Sequence, residues 1–108
     1  MRGRIALRGY LIFDIEVTDE TAWAEYLKIA GPIMAAGGGK FVLRSQRCEP
    51  LEGGWAPSTV SVVEFPSYEA AHDFYHSAEY QKTVPLRQRA SISRGILVNA
   101  LPLQETPA

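Results

Sequence analysis

From Tyr10 to Val17 the chain alternates, with Leu11, Phe13, Ile15 and Val17 on one side and Tyr10, Ile12, Asp14 and Glu16 on the other. Successive side chains of a strand point to opposite faces, so this segment predicts a strand with one apolar face and one mixed face. The period then changes. Asp19 is a good N-cap, Glu20 suits the positive end of a helix dipole, and Trp23, Tyr26, Leu27, Ala30 and Ile33 or Met34 recur at helical spacing. Pro32 should kink or restart this helix, because its ring displaces the hydrogen bond to the Lys28 carbonyl, and Gly37 to Gly39 should end it.

Alternation returns from Phe41 to Cys48, with Phe41 and Leu43 on one side and Val42, Arg44, Gln46 and Cys48 on the other. Glu49 to Pro57 is a turn-rich loop containing Gly53, Gly54 and Trp55, and the β-branched run Thr59 to Phe65 predicts a third strand that Pro66 stops. Ser67 caps a second helix with Ala71, Phe74, Tyr75 and Ala78 as its apolar stripe. Ser77 can cap a short turn carrying Tyr80, Pro85 to Ala90 forms another helical piece, and Ile96 to Leu101 is the last strand. The sum is an α+β chain in the order βαββαβ. This is the ferredoxin-like arrangement, a four-stranded antiparallel sheet with helices on one face.

Helices on one side leave the other sheet face to meet water or a further layer. If Leu11, Phe13, Ile15, Phe41 and Leu43 face the helices, the open face carries Tyr10, Ile12, Asp14, Val42, Arg44 and Gln46. That surface is too apolar for water and too polar for a dry core, which predicts a homodimer whose open sheet faces meet around a partly wet space.

Composition narrows the partners. The chain has 108 residues, the size of one domain, and its 11 basic and 12 acidic residues leave a net charge of −1. No field exists to gather nucleic acid or an acidic membrane surface, and no apolar run reaches the roughly 20 residues of a membrane helix. Ile5 to Leu7 is too short for a secretory signal, so a cytoplasmic location is expected. Cys48 is the sole cysteine, which excludes an intrachain disulfide. One domain spans residues 9–101, with an N-terminal arm over 1–8 and a tail over 102–108.

Several segments together carry a resemblance. These are Gly9-Tyr10 through Val17-Thr18-Asp19, Gly38-Gly39-Lys40-Phe41, Leu51-Glu52-Gly53-Gly54-Trp55, Val63-Glu64-Phe65-Pro66-Ser67-Tyr68-Glu69-Ala70-Ala71, and Tyr75-His76-Ser77-Ala78-Glu79-Tyr80. In this order they resemble the DUF1330 family of the dimeric α+β barrel superfamily. The resemblance implies a dimeric barrel fold but no set activity, since that superfamily hosts cofactor-free monooxygenases, lactone isomerases, haem enzymes and ligand-sensing domains. Ser45 and Gln46 stand where family members often have glycines, which implies a differently shaped pocket here.

The candidate chemistry follows from the charged and aromatic positions. Arg44 could clamp a carboxylate or enolate oxygen, or else pair with Asp14 or Glu64 across strands. Asp14 or Glu64 could serve as a general base if desolvated, and Tyr10 shares the mixed face. His76, near a helix end and followed by Tyr80, could reach a pocket rim, and Arg87 is a possible pocket residue within a basic group formed with Arg89 and Arg94. Trp55 could close over a ligand or dock on a partner subunit. His72 and His76 imitate the spacing of a zinc-protease helix, but no third ligand is evident, so neither metal nor cofactor is expected. Two functions stay open: a cofactor-independent enzyme on a small carbonyl or carboxylate metabolite, and a non-catalytic small-molecule-binding or dimerisation module.

Overall fold

The computed structural model describes residues 7–101, so most of the expected N-terminal arm and the whole tail lie outside the described residues. Strand β1 covers Gly9–Val17, helix α1 Glu20–Ala36, β2 Lys40–Arg44 and β3 Thr59–Phe65. Helices α2 (Tyr68–His76), α3 (Ala78–Gln81) and α4 (Val84–Ala90) follow, and β4 (Ser91–Asn99) closes the chain. The strands form one antiparallel sheet in the order β2-β3-β1-β4, the ferredoxin-like topology.

The helix boundaries arise where local chemistry demands them. The Asp19 carboxylate accepts from the Ala22 amide at 3.0 Å, and the Ser67 hydroxyl accepts from Ala70 in the same way at the start of α2. At the end of α1, Gly38 adopts φ +92°. Its amide bonds the Ala35 carbonyl while the Gly39 amide bonds Met34, the paired bonds of a Schellman turn. Helix α1 runs through Pro32 without a restart. Pro32 and Lys28 both lie on the exposed side, where water can take up a carbonyl freed by the proline ring.

The core lies between the helices and one sheet face and is built from Leu11, Tyr26, Ala30, Met34, Val63, Phe65, Ala71, Phe74 and Tyr80. Gly39 lets the Phe65 ring and Met34 close over the start of β2, since a Cβ there would sit 2.6 Å from the ring.

Two strands depart from the alternation reading. Strand β4 begins at Ser91, five residues before Ile96, because it pairs with β1 over nine residues from Gly9↔Asn99 to Val17↔Ser91. Tertiary pairing overrides the turn-like composition of Ser91 to Gly95. Strand β2 is shorter than the alternation suggests and contains a β-bulge. Phe41 pairs with Val63 and Leu43 with Val62, so Val42 is an extra residue. The ladder ends just beyond Arg44, where the Ser45 hydroxyl accepts from the Val60 amide at 2.8 Å and a side chain takes the place of a strand partner.

Candidate functional site

The bulge decides which face each β2 side chain reaches. Beyond Val42 the parity reverses, so Leu43 lies opposite Val62 on the open face and Arg44 lies opposite Ser61 on the helix face. The expectation that Arg44 belongs to the open face with Asp14 is therefore corrected. The Arg44 guanidinium sits 4.5 Å from the Phe41 ring centroid, and neither Asp14 nor Glu64 pairs with it.

Both carboxylates have other partners. Asp14 accepts from the Trp55 indole at 2.8 Å and from the Arg94 guanidinium at 2.8 Å. These bonds, that from Arg94 foremost, hold its carboxyl below the usual range. Glu64 accepts from the Tyr10 hydroxyl at 2.8 Å and pairs with Arg8 at 3.5 Å and Lys40 at 3.6 Å. The Tyr10 bond is the main cause of a lowered Glu64 carboxyl, and the same bond raises the Tyr10 phenol. Both carboxylates are weakened as bases, because donors occupy their oxygens and lower their affinity for a proton. Trp55, presented by a turn in which Gly53 and Gly54 take φ +81° and +74°, lies against Asp14, Arg94 and Ile96 on the open face.

A different group of candidates converges between sheet and helices. A cavity of about 140 Å³ lies there, walled by Leu11, Phe13, Ile15 and Val63 of the sheet and by Trp23, Tyr26, Leu27 and Phe74 of the helices. One water needs about 10–15 Å³ by this measure, so the space suits a small organic molecule. Its polar groups are Arg44, Arg87, Thr59, Ser61 and the hydroxyls of Tyr26 and Tyr80. Among the described residues no carboxylate lines it.

Arg87 is the exceptional residue of this cavity. It is only 6% exposed, its guanidinium lies 5.0 Å from the Phe13 ring centroid, and its Nε has no hydrogen-bond partner among the described residues. Buried polar groups are nearly always satisfied, and a buried charge without an opposite charge is rarer still. Helix α4 holds it rigidly: the Arg87 amide bonds the Thr83 carbonyl and the Ser91 hydroxyl bonds the Arg87 carbonyl at 2.8 Å. Gly95 gives the Phe13 ring its space, since a Cβ there would lie 2.4 Å from the ring edge.

Tyr26 and Tyr80 share a hydrogen bond of 2.8 Å between their hydroxyls. Burial, above all, pushes both phenols up and keeps them protonated, against the opposing pull of the nearby Arg87 charge. His76 lines a second, adjoining hollow with Tyr75, Gln88, Ser93 and Arg87, so Arg87 borders both spaces.

The eight residues singled out from sequence thus fall into two groups. Arg44, Tyr80 and Arg87 line the cavity and His76 the adjoining hollow, while Tyr10, Asp14, Glu64 and Trp55 lie on the open face. Tyr26 and Phe13 also belong to the cavity but read only as core positions in sequence. The partner of the Tyr26 hydroxyl is 54 residues away, and no local pattern could announce it.

The family model for DUF1330, a domain of unknown function, matches residues 8–101. No curated protein matches the chain. Among solved structures, the fold is similar to RPA0582, a protein of unknown function from Rhodopseudomonas palustris, with a TM-score of 0.71 and 22% identity over 93% of this chain and 86% of that one. It is also similar to SnoaB, a cofactor-independent oxygenase from Streptomyces nogalater, with a TM-score of 0.63 and 14% identity over 91% of this chain and 97% of that one. What is shared with them is the fold, a four-stranded antiparallel sheet with helices on one face.

Proposed function

The chain belongs to the DUF1330 family, and from its cavity we propose that it binds a small, largely apolar carbonyl or carboxylate compound. The anionic oxygen of that compound rests on Arg87, and the protein acts on it without a cofactor. One observation carries the reading: among the described residues, a buried guanidinium has an unpartnered Nε in an apolar cavity that no carboxylate lines. An entering anion would supply the missing charge and accept the free N–H, and the low dielectric would strengthen both interactions. Arg44, an exposed residue that also lines the cavity, adds a second positive charge at its border.

The same arrangement favours proton removal next to a carbonyl, because a positive charge at the oxygen stabilises the enolate as it forms. His76, on the hollow that borders Arg87, is the available base, the unprotonated ring nitrogen of an imidazole being a proton acceptor. A cofactor-independent oxygenase among the proteins of similar fold supports chemistry without a bound group.

We also assign the open face to a homodimer contact. Ile96 is 60% exposed there and Leu43 is 49% exposed, while Asp14 and Glu64, the half-buried carboxylates of that face, are already paired within the chain. Such a surface can be covered without leaving a lone buried charge.

Calorimetric titration with phenylacetate and with phenylacetamide, an uncharged analogue of similar shape, tests the site. Phenylacetate should bind about 10-fold or more tightly than the amide, the worth of a charged hydrogen bond, and Arg87→Met should erase the difference. Equal affinities in the wild type, or no binding of either, would refute the assignment. Catalysis is read separately from solvent deuterium entering the methylene group of phenylpyruvate, which should be faster with the wild type than with His76→Gln.

A further inference from the structure

The hydrogen bond between Tyr26 and Tyr80 uses one of two hydroxyl protons. The two phenols meet at 2.8 Å, and neither hydroxyl bonds any other described residue. Whichever oxygen donates, the other keeps a proton with nowhere to go. Tyr26 is 5% and Tyr80 2% exposed, so water outside the fold does not satisfy it, and both rings wall the cavity that Arg87 enters. The pair is set in place from two directions. Tyr26 comes from the middle of α1, and Tyr80 from α3, whose first turn the Ser77 hydroxyl caps by accepting from the Tyr80 amide at 3.1 Å. The Phe74 ring packs at a tilt against Tyr80, centroids 4.5 Å apart, and Trp23 against Tyr26 at 5.0 Å, so neither ring can turn away easily.

We propose that the Tyr26–Tyr80 pair and Arg87 form one two-part receptor, selecting acids that carry a carbonyl or hydroxyl oxygen beside the anionic group. The anion takes the guanidinium, and the neighbouring oxygen accepts the spare phenolic proton. The ligand class is therefore narrower than carboxylates in general: 2-oxo or 2-hydroxy acids with an aromatic or branched apolar body. This deepens the reading of Arg87 as an anion partner and rests on it. The phenols stay neutral when a ligand enters, because burial opposes their ionisation. They donate without being consumed.

The test compares benzoylformate with phenylacetate, both aromatic acids, of which only the first has an oxygen next to the carboxylate. Wild-type protein should bind benzoylformate about 3- to 10-fold more tightly, the worth of one neutral hydrogen bond. Tyr26→Phe with Tyr80→Phe should bring the two affinities together while leaving phenylacetate affinity within about 2-fold. Each single variant should keep part of the preference, since the remaining hydroxyl still has a proton to give. Near-unity selectivity in the wild type, with phenylacetate binding still lost in Arg87→Met, would overturn the receptor and leave the anion site standing. Failure of both acids to bind the wild type would remove both. Should the double variant not fold, the wild-type comparison and the single variants decide the matter alone.

Discussion

Replacing Arg87 by methionine should stabilise the protein without added ligand and abolish stabilisation by ligand. The unsatisfied Nε–H costs about 1–3 kcal/mol in the folded state, and the buried charge adds to that. Against this stands the contact of the guanidinium with Phe13, on the order of 1 kcal/mol. Methionine keeps an unbranched apolar stem, so little packing is lost. The net gain is then about 1 kcal/mol, which for a domain of this size raises Tm by roughly 4–8 °C. Phenylacetate at a hundred times its Kd should add about 2.7 kcal/mol to the wild type and nothing to the variant. Scanning calorimetry of both proteins, with and without the acid, reads all four values. An Arg87→Met protein that melts below the wild type in the absence of ligand would refute the reasoning, because it would mean the guanidinium has a protein partner in solution.

Other outcomes follow from the same geometry. Gly95→Ala drives a Cβ into the edge of the Phe13 ring and should turn that ring toward the cavity, weakening phenylacetate binding about 10-fold with a smaller effect on Tm. Ile96→Asp places a charge on the open face and should convert a dimer to a monomer in sedimentation at micromolar concentration, whereas a wild type that already sediments as a monomer would sink the dimer assignment. Asp14 has a folded-state pKa below its unfolded value of about 3.9, so its contribution is complete above that value and is lost as pH falls through the folded one. The Tm advantage of the wild type over Asp14→Asn should accordingly be steady from pH 5 to 7 and shrink below about pH 4.

Much of the fold was legible because its signals are local. The strict alternation of Leu11, Phe13, Ile15 and Val17, the cap at Asp19, the glycines after Ala36 and the cap at Ser67 each express their structure within a few residues. Strand β4 was legible only from Ile96, since Ser91, Ser93 and Gly95 turn toward the helix side, where Phe13 fills the space that larger side chains would occupy. The site was harder. Arg87 belongs to a basic group with Arg89 and Arg94 from which the sequence marks it only as a possible pocket residue, and the way α4 packs is what buries it. Arg44 was placed by counting alternate positions from Phe41, and one extra residue in between falsifies that count.

That extra residue, Val42, also bears on how relatives of this chain should be compared. A homologue lacking one residue between Lys40 and the arginine would present the arginine on the open sheet face instead of the cavity side, with Leu43 drawn inward in exchange. Two proteins with the same letters in that stretch, offset by one, would thus carry the cation in different compartments of the molecule. An alignment that slides a gap across the strand to maximise identity would merge the two, and the length of the segment is a better guide to the role of its arginine than the arginine itself.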